Sequence, residues 1–345
     1  MDNKQSLYGL TIFRFITAFY VFVFHCYLRH PIDVPHWIAR VLNNGAIGMT
    51  FFFVLSGFVM AWSSRNGIRH DYFKARLLRI YPAYLFMGII SLPFLFYVAS
   101  NKIIPTLILF LSATQSWIPS SSPVWHFAGS WSVSTEFFFY MTFPLLFPII
   151  KNTPKTALIT AFIITSSITP LAFVFGSEKD ATYFYVSPIH RLPEFIIGVS
   201  LGCMYSSGTR LKKKKSKVII LLLALTVLIT ISAVGNPGFM KRNFATVPAT
   251  AAIIYVLACS NIKYNFITRP FIYLGEITYS FYLMQLVVLS FLVKNEDLFY
   301  GMDSINIWLI LGLATLLLSM ISYHFIEKRF SVKKTSNSKV ISTSV

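Results

Sequence analysis

Apolar residues along this chain come in long, nearly unbroken runs, separated by short polar segments. Ten of these runs reach the roughly 17–25 residues that a membrane-crossing helix needs. They lie near 7–28, 45–63, 82–100, 132–150, 156–175, 189–206, 218–235, 244–260, 271–293 and 305–326. A further run, Ile103 to Ala113, is too short to cross and contains Pro105, so it reads as a re-entrant or interfacial segment. The pattern predicts an all-α, polytopic membrane protein with about ten transmembrane helices.

Charge fixes the predicted orientation. With a cytoplasmic N-terminus, 21 Lys and Arg fall on the inner side and 8 on the outer, and Arg14 inside the first run completes the 30. Cytoplasmic loops of membrane proteins carry just such an excess. Both termini are therefore expected in the cytoplasm, with the protein integral to the bacterial cytoplasmic membrane. The net charge of +18 belongs to this topology and does not call for nucleic acid. Of the 345 residues, 12% are charged, about half the share of a soluble protein, which excludes a soluble enzyme of this length. Cys26, Cys203 and Cys259 all lie within apolar runs without paired spacing, so neither a disulfide framework nor a thiolate metal site is expected. Met1–Ser6 is short and no small-residue cleavage site follows the first run, so that run reads as a retained span. Residues 1–330 read as one membrane domain and 331–345 as a basic, polar cytoplasmic tail.

Polar residues inside the runs are costly in lipid and single out candidate chemistry. Arg14 and His25 share the first run, 11 residues apart. That spacing puts them on one helix face, separated by about 16 Å along the axis. His25, Glu136, Arg191, Glu194 and Gln285 are all expected within roughly two turns of the outer surface, enough to line one outward-facing cavity. Taken singly, Arg191 also reads as a rim charge, Glu194 as its partner and Gln285 as a helix-pairing amide. On the inner side, Arg76 and Arg79 lie three residues apart on a short helix expected to end before Pro82. With Arg65, Arg69 and Lys74 they form a basic cluster, suited either to anchoring on lipid phosphates or to clamping a phosphorylated ligand with Arg forks. Lys212–Lys215 and Lys217 read as lipid-surface charge. Gly45 and Gly48 suit close helix packing, and Ser56-Gly57 allows a local loosening of its helix, with helix packing the default there. Motifs for nucleotide loops, zinc proteases or serine hydrolases are missing at usable places.

Several stretches together resemble the integral-membrane acyltransferases of the acyltransferase-3 type. They are RFITAFYVFVFH, FFFVLSGFVM, RLLRIYPAY, SWSVSTEFFFYMTFPLL, RLPEFIIGVSLG, ITYSFYLMQ and FIEKRF, and they cover essentially the whole chain in order. The resemblance implies transfer of an acyl group, most often acetyl, from cytoplasmic acyl-CoA to a hydroxyl on the outer side. The acceptor would be a surface glycan or its lipid-linked precursor, with O-antigen, capsule and exopolysaccharide all open. On that reading Arg14, Arg76 and Arg79 receive the phosphates of acyl-CoA, and no metal or nucleotide cofactor is implied. His25 serves as general base, because imidazole titrates near neutral pH. Glu136 orients His25 or stabilises the imidazolium that forms. Trp131 and Ser132 offer the acceptor a stacking face and a hydrogen bond, and Arg191 and Glu194 shape its pocket. Gln285 stands where similar proteins often carry His; an amide can hydrogen-bond but cannot titrate. A competing reading is a proton-coupled transporter or polysaccharide export protein, with His25, Glu136 and Glu194 as a relay. Internal repeats and paired broken helices, which would favour it, are not evident.

Overall fold

The computed structural model describes residues 7–98, 103–118, 130–175, 183–234 and 242–330. Among them every regular element is helical and no strand occurs. In chain order the helices are α1 (Tyr8–Arg29), α2 (His36–Leu42), α3 (Gly48–Ser63), α4 (Tyr72–Val98) and α5 (Ile103–Leu111). Then come α6 (Ser130–Asn152), α7 (Pro154–Phe175), α8 (Pro188–Ser206), α9 (Lys214–Val234) and α10 (Asn243–Ala258). The last are α11 (Thr268–Glu276), α12 (Thr278–Lys294) and α13 (Ser304–Ser322), followed by a π turn, Tyr323–Glu327. Each apolar run falls on one of these helices, except the ninth, which is shared by two. Among the described residues six stretches are long and apolar enough to cross a membrane, or seven when α11 and α12 count as one span. The tail 331–345 lies outside the described residues.

Two local expectations change. Arg76 and Arg79 do not sit on a short helix that stops before Pro82: α4 runs on through Pro82 and Pro93 to Val98. An apolar helix packed among others tolerates the lost backbone bond, because neighbouring groups satisfy the freed carbonyl. The ninth run is broken, with α11 and α12 meeting at 63°. At Ser56-Gly57 the default of helix packing holds over local loosening: α3 is continuous there, and the missing side chain at Gly57 serves a helix crossing. Residues 103–113 hold a nine-residue helix, too short to cross.

The centre of the fold is the seam between α3 and α8. Most of both helices is buried, and three glycines permit the approach. A Cβ on Gly198 would stand 1.9 Å from the Val54 carbonyl oxygen, and one on Gly57 2.1 Å from that of Phe195. Gly202, one turn along α8, meets the Phe58 carbonyl at 2.6 Å by the same measure. Gly198 and Gly202 form a small-xxx-small ridge, which lets apolar helices gain dispersion and close backbone contact where lipid offers no hydrophobic drive. Around this seam α9 and α13 present exposed leucines and isoleucines, among them Leu222, Leu223, Leu313 and Leu317. Helices apolar on their outward faces belong in a lipid phase.

The α1–α12 contact sets the register that matters for the site. The Thr11 carbonyl oxygen lies 2.0 Å from where a Gly275 Cβ would be, so the backbones touch just before α12 begins. Further along, the Phe281 ring packs edge-on against Phe15 and Phe22, at 5.2 and 5.8 Å. Residue numbers rise together along the contact, so α1 and α12 run in the same direction.

Candidate functional site

Four helices and the start of a fifth enclose a cavity of about 130 Å³. Arg14 comes from α1, Ser56 and Phe53 from α3, Arg76 and Arg79 from α4, Ser132, Glu136 and Tyr140 from α6, and Thr278, Tyr279 and Tyr282 from the first turns of α12. Helix directions order these groups along its length. On α4 and α1 the arginines come early, while α6 runs the opposite way and brings Ser132 before Glu136 and Tyr140. The arginines and Tyr140 therefore share one end, and Ser132 with Tyr282 closes the other.

The basic end is held together by a small network. Glu136 Oε1 accepts hydrogen bonds from Tyr140 Oη at 2.5 Å and Ser56 Oγ at 3.3 Å. The Arg76 guanidinium lies 5.7 Å from both the Tyr72 and Tyr140 rings and donates to Ser63 Oγ at 3.3 Å. Tyr72 in turn donates to the Tyr140 carbonyl at 3.0 Å, which fixes that aromatic wall. Arg14 feels repulsion from Arg79 and attraction from Glu327 and Glu136. Three arginines and Glu136 thus line one partly enclosed space, within electrostatic reach of Glu327, and charge interactions there exceed those in water. At the far end, Ser132 Oγ and Tyr282 Oη are hydrogen-bonded at 2.8 Å.

Of the residues singled out from the sequence, the cavity gathers Arg14, Arg76, Arg79, Ser132 and Glu136. His25 is half-buried one face-repeat beyond Arg14 and is not among the lining residues. Glu136, expected beside His25, instead accepts from Ser56 and Tyr140, on the arginine side. Trp131 packs on Tyr185 and Phe53, at 4.9 and 6.0 Å between ring centroids, as part of the aromatic core. Arg191 and Glu194 do not share the cavity either. They form a 2.8 Å ion pair, 0% and 1% exposed, and Thr50 lies within 3.5 Å of both. The Arg191 guanidinium also lies over Phe53 and Tyr185, at 5.0 and 5.3 Å. Depth along a helix placed all five outer polar groups at one level, but the direction in which each side chain points divides them.

Several cavity-side groups were missed, among them Tyr140, Tyr282, Ser56 and Glu327. Glu327 is carried on the π turn, accepts from Ser280 Oγ at 2.9 Å, and is drawn to Arg79 and Arg14. A π turn inserts an extra residue and re-aims the side chains after it, a frequent device at functional sites. FIEKRF carries a carboxylate at the end of an apolar run, which was the available signal. Ser56 was read as a backbone feature only.

A family model described as an acyltransferase domain matches residues 7–324. Among curated proteins, Acyltransferase MdmB of Streptomyces mycarofaciens is 27% identical over 82% of this chain and 79% of its own length. O-acetyltransferase OatA of Staphylococcus aureus is 26% identical over 86% of this chain and 54% of its own. The Putative peptidoglycan O-acetyltransferase YrhL of Bacillus subtilis is 23% identical over 83% and 50%. The chain thus spans about half the length of the two O-acetyltransferases it matches. No solved structure matches.

Proposed function

The chain belongs to this acyltransferase family, and from that premise we propose that it moves an acetyl group from cytoplasmic acetyl-CoA to a hydroxyl of a surface glycan or its lipid-linked precursor. The observation that carries the reading is the cavity itself: three arginines and Glu136 gathered inside an apolar helical bundle, with Glu327 within electrostatic reach of two of the arginines. Arginine forks match phosphate oxygens, and coenzyme A carries several phosphates on a body that cannot enter lipid. Arg76 and Arg79 receive them at the mouth, and Arg14 extends the positive path inward. Glu136 and Glu327 act as counter-charges that offset the repulsion among the arginines until the donor arrives.

The reading includes ten transmembrane spans within a domain of residues 1–330, both termini and the 331–345 tail in the cytoplasm, and residence in the bacterial cytoplasmic membrane. The loop-charge asymmetry supports it. His25 is the general base for the acceptor hydroxyl. Trp131, Ser132, Arg191, Glu194 and Gln285 serve the acceptor side, and the buried Arg191–Glu194 pair does so by fixing the α3–α8 wall rather than by touching sugar.

The O-acetyl content of the producing strain's glycans, with and without the protein, tests the proposal. Loss of one acetyl ester per modified sugar on deletion, restored by the wild-type chain and not by His25→Ala at equal membrane abundance, is the expected result. Unchanged glycan masses on deletion would overturn the proposed transfer, and full restoration by His25→Ala would remove the base from it.

A further inference from the structure

Gln285 is buried in α12 with its whole side-chain amide unsatisfied. It is 0% exposed, and among the described residues neither its Oε1 nor its Nε2 has a hydrogen-bond partner. Leaving a buried polar group unsatisfied costs roughly 1–3 kcal/mol. An apolar residue of the same size would avoid that cost.

Its position shows what the amide can serve. Thr278 and Tyr282 line the cavity from α12. Gln285 follows them on the same stripe, one turn beyond Tyr282 and therefore just past the Ser132–Tyr282 hydrogen bond. On α1, Arg14 lines the cavity and His25 continues its stripe. Because α1 and α12 run the same way with Phe22 against Phe281, His25 and Gln285 come within about one helical turn of the same level. The two stripes thus bring the amide past the end of the cavity to about the level of the imidazole.

Resting on the acyl-transfer reading above, we propose that Gln285 Nε2–H is the donor that receives the acyl carbonyl oxygen at the moment of transfer. The acceptor hydroxyl oxygen bonds to the thioester carbon as His25 takes its proton. The carbonyl π pair moves onto oxygen, where the amide N–H stabilises it. The pair then returns, the C–S bond breaks, and the proton held on His25 passes to the leaving thiolate, which frees coenzyme A, restores neutral imidazole and leaves an ester on the acceptor. A neutral amide suits this task. It adds no charge that would hold coenzyme A phosphates at this level, and it cannot compete with His25 for the proton.

The test compares the full chain with Gln285→Leu, Gln285→Met and Gln285→His in everted membrane vesicles supplied with radiolabelled acetyl-CoA. Label in glycan gives kcat per mole of protein and KM for acetyl-CoA. Removing one such donor typically lowers kcat about 100- to 1,000-fold. The expected result is a loss of that size in both apolar variants, with KM within about threefold and a thermal midpoint in detergent equal to or above wild type. Gln285→His, which restores an N–H, should recover turnover to within about tenfold. The proposal is overturned by wild-type kcat in either apolar variant, or by loss of kcat that tracks a lowered midpoint. Absence of transfer by the wild-type chain would instead refute the donor reading, before any variant is compared.

Discussion

Replacing Gly198 by alanine adds one methyl group at the tightest point of the fold. The new Cβ would start 1.9 Å from the Val54 carbonyl oxygen, and Cβ atoms scarcely ever come within 3.0 Å of a neighbour. The obstacle is backbone, so no side-chain rotation relieves it. Opening the seam by more than 1 Å is the remaining route, and Gly57 and Gly202 lie on the same seam. Overpacking of this kind costs about 1–3 kcal/mol, and a backbone obstacle puts Gly198→Ala at the upper end. The opening should also reach the site. Ser56 precedes Gly57 and holds Glu136 at 3.3 Å, so a shift of α3 by that amount breaks the bond. Gly312 on α13 supplies the control, because its Cβ would meet only the Phe22 ring edge at 3.6 Å, an ordinary contact. Gly312→Ala should be neutral or stabilising by about 0.4–1 kcal/mol. Thermal inactivation of the purified protein in detergent, followed by residual acetyl-CoA turnover, separates the two. Equal half-lives for Gly198→Ala, Gly312→Ala and wild type would refute the reasoning.

Arg76→Ala and Arg79→Ala should each weaken acetyl-CoA binding about tenfold or more, since charge-assisted bonds contribute about 1.5–3 kcal/mol; titration calorimetry with unchanged affinity would return them to the role of lipid anchors. Glu136→Gln removes a carboxylate that competes for the arginines, so donor affinity should tighten a few-fold, about 1 kcal/mol, while turnover falls; weaker binding would contradict its role as counter-charge. Arg191→Ala strands a buried carboxylate and should destabilise by about 3–5 kcal/mol, whereas Arg191→Met with Glu194→Met should recover most of that in the same melting assay. In the loop before α4, two bonds from the Arg69 guanidinium at 2.7 and 2.9 Å hold the Asp71 carboxyl below its ordinary pKa. The stabilisation is present above the ordinary value of about 3.9 and disappears as pH falls through the lowered one. Both side chains are about one-third exposed, so Asp71→Asn should cost less than about 1 kcal/mol at neutral pH and nothing in strong acid.

Much of the fold was legible because lipid leaves a chain few choices. A run such as Val218–Val234 cannot leave its backbone unpaired in hydrocarbon, so length and hydropathy alone dictate a helix. Breaks within runs were harder to read. Pro82 looked like a terminator because its missing N–H ends helices in water, whereas packing among other helices carries α4 straight through. The bend at Ile277 falls inside GEITYS, and Gly275-Glu276 was the available mark of a break that overall hydropathy of the run passes over. Gly198 and Gly202 stood in RLPEFIIGVSLG at the spacing of a close helix contact, but their partner Gly57 lies far away along the chain.

For the site, the sequence supplied residue types and depth, and the structure adds direction. Arg14, Arg76 and Arg79 come from two helices yet line one cavity. Glu136 was assigned to the outer level with His25 because it lies near the start of its run. Its helix begins at Ser130, however, and by Glu136 it has descended about 9 Å, which takes the carboxylate to the arginines. Arg191 and Glu194 at i and i+3 could face only each other and the seam, since both α3 and the aromatic wall close over them. Gln285 illustrates the converse. An amide in an apolar run is ordinarily a helix-pairing group, and only the lack of a partner among the described residues separates it from that role. The cost of keeping it unpaired is therefore the strongest physical reason to look for a ligand between α1 and α12.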